Sequence, residues 1–423
     1  MRSAALPGWL YVLFLTLLAT ATDEFIIAGV LPVVADDLEV SVSAAGQLVT
    51  AFAVVYAVAA PTLSALIERF PKRTVMVTGL VLFVLANVAA AVAPDYWFLM
   101  AARIGAALCA AVVAAAVFAT AAAGAPEGAQ GRYLGVVTAG MTAALFSGVP
   151  LGSWLGGTFG WRATFWLIAG VGAFAVVGLL VTVPAVPGGE PAPLRERMAP
   201  LRNRAVLRLV AVTFLAASGG LMFYTYLGAY AAEVAGGSYG LLSFLVFLVG
   251  ITGLAGALFS GRAADAWGPQ RSLRCVLAGH AVALALATGL VFSGIGSRVA
   301  LAAVIACWAI FAWALTPPVQ GSILAAAGPA SGMTALSLNI SGLYLGTGVA
   351  GAAGGVVIGT YGAAYVPLAA AVLMTLSFLL APSASVQEAV EVDVADEGGA
   401  VGHRKGTLPG DGAETRRPIP AAE

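Results

Sequence analysis

Apolar residues run along this chain in blocks of about 20, each long enough to cross a hydrocarbon layer of ~30 Å as a helix. Short polar or glycine-containing breaks separate them. The pattern predicts spans at roughly 9–34, 45–67, 74–93, 98–123, 133–155 and 161–183. After a longer polar break it predicts 206–230, 240–260, 273–294, 299–322, 332–357 and 363–382. The faintest break, Ala325–Ser331, carries no charge. Arg2, the run Leu10–Leu18 and Ala19-Thr20-Ala21 have the layout of a signal peptide. Ile26–Val34 carries the apolar run on to a full span, so a retained first helix is expected.

The predicted fold class is an all-α membrane protein with twelve transmembrane helices in two six-helix pseudo-repeats. Residues 185–204 are rich in Pro, Gly and Arg and read as a cytoplasmic linker. They divide an N-terminal half, 1–184, from a C-terminal half, 205–382. Residues 383–423 are polar and charged and read as a disordered cytoplasmic tail.

Composition agrees with this reading. Apolar types make up 61% of the 423 residues and charged types 9%, where a soluble domain carries about 25% charged residues. With 20 basic and 20 acidic residues there is no basic field for nucleic acid. The placement of the charges says more. With the N-terminus in the cytoplasm, seventeen of the twenty basic residues fall inside; Arg162 and Arg298 fall outside and Arg103 within a span. That asymmetry places both termini in the cytoplasm of a cell (inner or plasma) membrane.

The halves echo each other. Glu68 and Asp265 close the second span of each half, 197 residues apart. Gly148, Gly152 and Gly156 recur in the second half as Gly346, Ala350 and Gly354, offset by 198. Transporters with two similar halves bind substrate between them near the midplane.

Few polar groups lie inside the spans. Helix rise puts Glu24 within ~5 Å of the middle of the first span, where a charge costs about 2.5–3.5 kcal/mol. Thr16, Thr20 and Glu24 share one face, and Asp23 points about 100° away from it. Glu24 is a candidate proton carrier, or a seat for a cationic or polar substrate group; the plainer alternative is a structural hydrogen bond to a neighbouring helix. Arg103 enters the fourth span at a similar depth and needs a partner, for which Asp23 and Glu24 are the candidates. His280, about six residues into the ninth span, is expected near the membrane boundary. Tyr56, Tyr224, Tyr226, Trp313, Gln320, Asn339 and Tyr344 are candidate cavity-lining residues, and each also suits packing or an interface belt. At the cytoplasmic breaks, Glu68, Arg69, Lys72 and Arg73, and Gly261, Arg262, Asp265, Gly268 and Arg271, either latch the halves in the outward-facing state or only set topology.

Four segments carry a resemblance: Thr22–Pro32 in the first span, Leu99–Arg103, Gly148-Val149-Pro150-Leu151-Gly152 with Gly160–Phe165, and Gly261–Gly268. Over about residues 8–382 the chain resembles the major facilitator superfamily. It is most similar to the twelve-helix drug/proton antiporters of the chloramphenicol-resistance and arabinose-efflux-like branch. Ser64, Glu68 and Pro71 stand where that family has Gly, Asp and Gly, and Ala106 and Ala107 where it has Gln and Gly. The resemblance implies export of small amphiphilic compounds, such as a chloramphenicol-like antibiotic, by proton antiport through alternating access. It also implies that Gly148, Pro150, Gly152 and Gly156 form an antiporter-motif helix.

The chain lacks a GxxxxGK[ST] phosphate loop and any nucleophile–base set of residues. Cys109, Cys275 and Cys307 lie in apolar runs, and His280 and His403 are the histidines present, so no metal site is expected. The expectation is a non-enzyme, working as a monomer in the bilayer on a small molecule and protons. No cofactor, ATP or nucleic acid is expected, with the proton gradient as energy source. Alternatives are a sugar or metabolite efflux permease, then an uptake symporter; a channel, receptor or membrane enzyme is a different class.

Overall fold

The computed structural model describes residues 6–126, 129–184, 186–188, 195 and 198–382. The expected tail, 383–423, and part of the linker lie outside these. Among the described residues there are twelve helices long and apolar enough to span a membrane, and no strand. They are α1 Gly8–Asp37, α2 Val42–Leu63, α3 Lys72–Ala91, α4 Tyr96–Ala123, α5 Arg132–Phe159, α6 Trp161–Thr182, α7 Arg204–Thr225, α8 Tyr239–Trp267, α9 Pro269–Phe292, α10 Arg298–Gly328, α11 Thr334–Tyr361 and α12 Ala363–Leu380. A short helix, Leu227–Ala235, follows α7.

The helices satisfy their own backbone groups, as a lipid environment requires, and their ends are capped by side chains. Asp95, Asn203, Ser238 and Ser297 accept the first free amides of α4, α7, α8 and α10. Hydroxyls within the spans bond back one turn, as Thr16 does to the Val12 carbonyl at 2.8 Å and Thr22 to Leu18 at 2.7 Å. Large apolar side chains face outward, among them Phe174 and Phe259. In water that surface would be an association patch; in hydrocarbon it costs nothing.

Two boundaries differ from the sequence reading. The segment Gly261–Asp265, read as a loop, continues α8 as helix to Trp267, and the chain turns at Gly268, φ +81°. Its alanines favour helix whether or not lipid surrounds them. Between α10 and α11 helix continues with one non-helical residue, Gly328, at φ 70°. A turn there needs a left-handed glycine rather than a charge.

The duplicated glycines have matching partners. A side chain at Gly148, Gly152 or Gly156 would meet Thr22, Ile26 or Val30 of α1; one at Gly346 or Gly354 would meet Phe214 and Ala217, or Met222 and Tyr226, around α7. In both sets of six, the fifth helix lies close along the first because its residues there are small. Another echo joins the helix ends. Arg73, opening α3, donates to the Leu180 carbonyl at the end of α6. Arg274, in the first turns of α9, donates to the Ala381 carbonyl after α12 at 3.0 Å. Both guanidiniums satisfy carbonyls that a helix C-terminus leaves free.

The first six spans meet the last six through α2 with α11, α5 with α8, and α1 with α7, with the short helix after it and with α8. Call the end bearing Arg69, Lys72, Arg73, Arg262 and Arg271 the basic end, and the opposite one the far end. A side chain at Gly348 would meet Val54, and one at Gly351 would meet Thr50. At Gly355 it would meet Gln47 and Ser43, at Gly157 Tyr239, and at Gly250 the backbone of Leu145 and Phe146. These approaches lie from mid-helix to the far end. One turn further toward the basic end, Tyr344 of α11 still stacks on Tyr56 of α2; beyond them Val58 is 56% exposed and Ile340 43%. The close approaches of the seam run from the far end to the level of Tyr344 and Tyr56.

Candidate functional site

The site begins with residues that ordinary membrane helices avoid. On α1, Asp23 and Glu24 follow a run of small and hydroxyl residues, Ala19–Thr22, that lets neighbouring helices come close. Asp23 and Arg103 are both fully buried, and Nη1 of Arg103 lies 2.6 Å from Oδ1 of Asp23. The guanidinium sits over the Phe52 ring of α2, 4.4 Å from its centroid. Phe52 lies one turn from Tyr56, so α2 presents two rings on one face. The pair does not use all its polar atoms: Oδ2 of Asp23 and Nε and Nη2 of Arg103 have no protein partner.

Glu24 turns away from this pair and toward the seam. Its Oε2 accepts a hydrogen bond from the Tyr344 hydroxyl of α11 at 2.7 Å. The Tyr344 ring stacks on Tyr56, with centroids 3.9 Å apart and planes 19° apart. A cation, two carboxylates, a phenol and two further rings from α1, α2, α4 and α11 therefore meet near the middle of α1. Such a group can hold or pass a proton, and can offer a flat, partly polar molecule both stacking and hydrogen bonds.

The structure thus brings together Asp23, Glu24, Arg103, Tyr56 and Tyr344 of the sequence candidates. Thr20 is buried one turn away and bonds back to the carbonyls of Thr16 and Leu17. Tyr224 and Trp313 belong to a neighbouring aromatic group, their centroids 5.6 Å apart. Phe25 of α1 meets Tyr224 edge-on and links the two groups. Asn339 is buried, with its Oδ1 unpartnered, and Gln320 is exposed near the basic end of α10. Tyr226 sits at the far end instead, donating to the Gly351 carbonyl at 2.7 Å.

Helix α5 is irregular where it meets the site. Residues Ala144–Gly148 of α5 form a π-helical turn. It precedes Pro150, which brings no amide hydrogen to the helix. Gly148 lies under Thr22, next to Asp23.

At the basic end, Lys72 donates to the Glu68 carbonyl at 2.9 Å, Arg69 lies over Phe70, and Arg73 reaches Leu180. Arg262, Asp265 and Arg271 make no ion pair or side-chain hydrogen bond among the described residues.

Sequence reasoning missed Phe52, whose one-turn spacing from Tyr56 was the available signal. It also misplaced His280. That residue lies at the twelfth position of the 24-residue helix α9, buried beside Trp308 with ring centroids 6.2 Å apart. The helix begins at Pro269, four residues before the apolar run did, which moves its middle to His280. Both ring nitrogens of His280, and Nε1 of Trp308, lack protein partners.

Residues 13–330 match the family described as the Major Facilitator Superfamily. An uncharacterized MFS-type transporter of Bacillus subtilis (strain 168), YbcL, is 34% identical over 349 residues, covering 82% of this chain and 88% of that one. A chloramphenicol resistance protein of Streptomyces lividans is 33% identical over 266 residues, 62% of this chain and 67% of that one. Among solved structures, a POT family transporter in complex with 5-aminolevulinic acid superposes with a TM-score of 0.72 at 12% identity, covering 89% of this chain and 96% of that one. The last likeness concerns the fold alone.

Proposed function

Because the chain belongs to the Major Facilitator Superfamily, a family of membrane transporters and not of enzymes, we propose that it exports small amphiphilic compounds of the chloramphenicol-like kind in exchange for protons. One observation carries the reading: a carboxylate, Glu24, held at mid-membrane depth beside a fully buried Asp23–Arg103 pair and on the seam between the two sets of six helices. A group so placed is functional by default in a membrane protein. The name of the Streptomyces relative supports the substrate class.

In this reading residues 1–184 and 205–382 are the two rocking halves, joined by the linker. The basic end is cytoplasmic, and so are both termini, in a cell membrane. The state described, with its close approaches toward the far end, is then the one closed to the outside. Substrate enters from the cytoplasmic side, meets the Tyr56, Tyr344 and Phe52 rings, and engages Glu24. Rocking opens the far end, where substrate leaves and a proton takes its place on the carboxylate. The protein works as a monomer, with the proton gradient as its energy source and without ATP. Sugar or metabolite efflux uses the same frame with a different cargo.

The test uses everted membrane vesicles energised to an acidic lumen and a panel of antibiotics and sugars. Export by exchange releases protons from the lumen when substrate is added. Glu24→Gln and Asp23→Asn, made separately, should each cut the exchange at least tenfold. Full exchange in both variants, or no response to any compound, overturns the proposal.

A further inference from the structure

Glu24 and Tyr344 are 320 residues apart in the chain and come from opposite sides of the seam. The tyrosine's backbone belongs to α11, while its ring lies flat on Tyr56 of α2 and its hydroxyl reaches Glu24 of α1. Its bond to Glu24 therefore forms only while the two sets of helices are pressed together. The titratable and charged groups around Glu24 are Asp23, Arg103, Tyr56 and Tyr344. Asp23 and Arg103 hold each other within the first six spans, so Tyr344 supplies the polar link that crosses. An ionised carboxylate is a pure acceptor, and a hydroxyl bound to it is held about twice as strongly as by a neutral oxygen. A carboxyl that has gained a proton, or has been taken by a donor on a substrate, releases about half of that hold or more.

We infer that Tyr344 is a positioning residue that keeps the far end shut while Glu24 is ionised and empty, and lets go when either a proton or a substrate occupies the carboxylate. This rests on reading Glu24 as the exchange group. Its consequence is a coupling rule. The carrier opens the far end loaded with one cargo or the other and does not open it empty, which is the slip an exchanger has to forbid. An occupant shifts the equilibrium only through its different affinity for the two states, and the Tyr344 hydroxyl supplies that difference.

The experiment places spin labels on cysteines at Asp36 and Glu233, exposed far-end positions on either side of the seam, in full-length protein with Cys109, Cys275 and Cys307 replaced. Pulsed electron resonance reads the distance between them across pH without substrate. In the parent a single short-distance population at alkaline pH gives way to a longer one on acidification. Tyr344→Phe keeps the ring on Tyr56 and removes the hydroxyl. The long population should then be present at every pH, its response to pH should fall at least fivefold, and vesicles should show downhill substrate flux without counterflow of protons.

A merely structural tyrosine would displace the distribution equally at all pH and leave the response intact, and that result overturns the inference. Glu24→Gln separates the two failures. If it retains exchange and the pH response, the reading of Glu24 itself is wrong. If it abolishes exchange while Tyr344→Phe behaves as the parent does, only the latch is wrong.

Discussion

Replacing Arg103 by Met removes one member of a fully buried ion pair while keeping a side chain of similar length. At the 2.6 Å separation of Nη1 and Oδ1, Coulomb attraction with an effective dielectric constant near 20 is about 6 kcal/mol. Desolvating the two ions costs several kcal/mol each, so the intact pair contributes little net stability. The single variant is a different matter, because Asp23 stays buried without its partner at a cost of about 3–5 kcal/mol. Loss of the guanidinium from the Phe52 face removes about 0.5–2 kcal/mol more. The double variant Asp23→Asn/Arg103→Met leaves no orphaned charge and should recover most of the loss. Thermal unfolding of the purified protein in detergent, run as a double-mutant cycle, gives the coupling energy directly. Arg103→Met should be strongly unstable and the double variant within about 1–2 kcal/mol of the parent. Equal stability of the parent and Arg103→Met would show that the pair is solvated in the bilayer, and the account of the site would fail with it.

Gly46→Ala should prevent the far end from closing, because the new methyl would occupy the place of the Tyr226 hydroxyl; labelling of an engineered far-end cysteine by a membrane-impermeant maleimide should rise severalfold. Gly250→Ala pushes against the Leu145 and Phe146 backbone on the α5–α8 seam. Overpacking of this kind costs about 1–3 kcal/mol, read as a lowered melting temperature of the closed state. Arg274→Leu removes the shorter of two donors to the Ala381 carbonyl, Arg208 being the other, and the cation over Phe378; a lost charged hydrogen bond of about 1.5–3 kcal/mol should speed amide hydrogen exchange over 377–381 while leaving substrate exchange unchanged.

The span count was legible because each helix must supply its own apolar length and its own hydrogen bonds, and both are local properties. The membrane depth of Asp23, Glu24 and Arg103 followed from the same counting. Their pairing did not. Adjacent residues on α1 point about 100° apart, yet which of them meets Arg103 depends on how α4 and α2 pack around the helix. Phe52 became part of the site only when α2 placed it under the guanidinium. His280 shows the error in reverse: it was expected at the boundary, although even the span 273–294 puts it about 5 Å from the middle, and the helix Pro269–Phe292 centres on it. The helical end of α8 escaped notice because hydropathy marks where lipid ends and is silent about where hydrogen bonding ends.

By itself, then, the sequence determined the environment of this chain, its number of crossings, the spacing of its small-residue faces and the few polar groups committed to hydrocarbon. Tertiary structure alone decided that Asp23 takes Arg103 while Glu24 reaches across the seam to Tyr344, and that the close approaches of the seam lie toward the far end. The physical reason is distance along the chain. Periodicity fixes what lies on one helix face, whereas a hydrogen bond between residues 24 and 344 exists only after two separately built sets of helices have found a common packing.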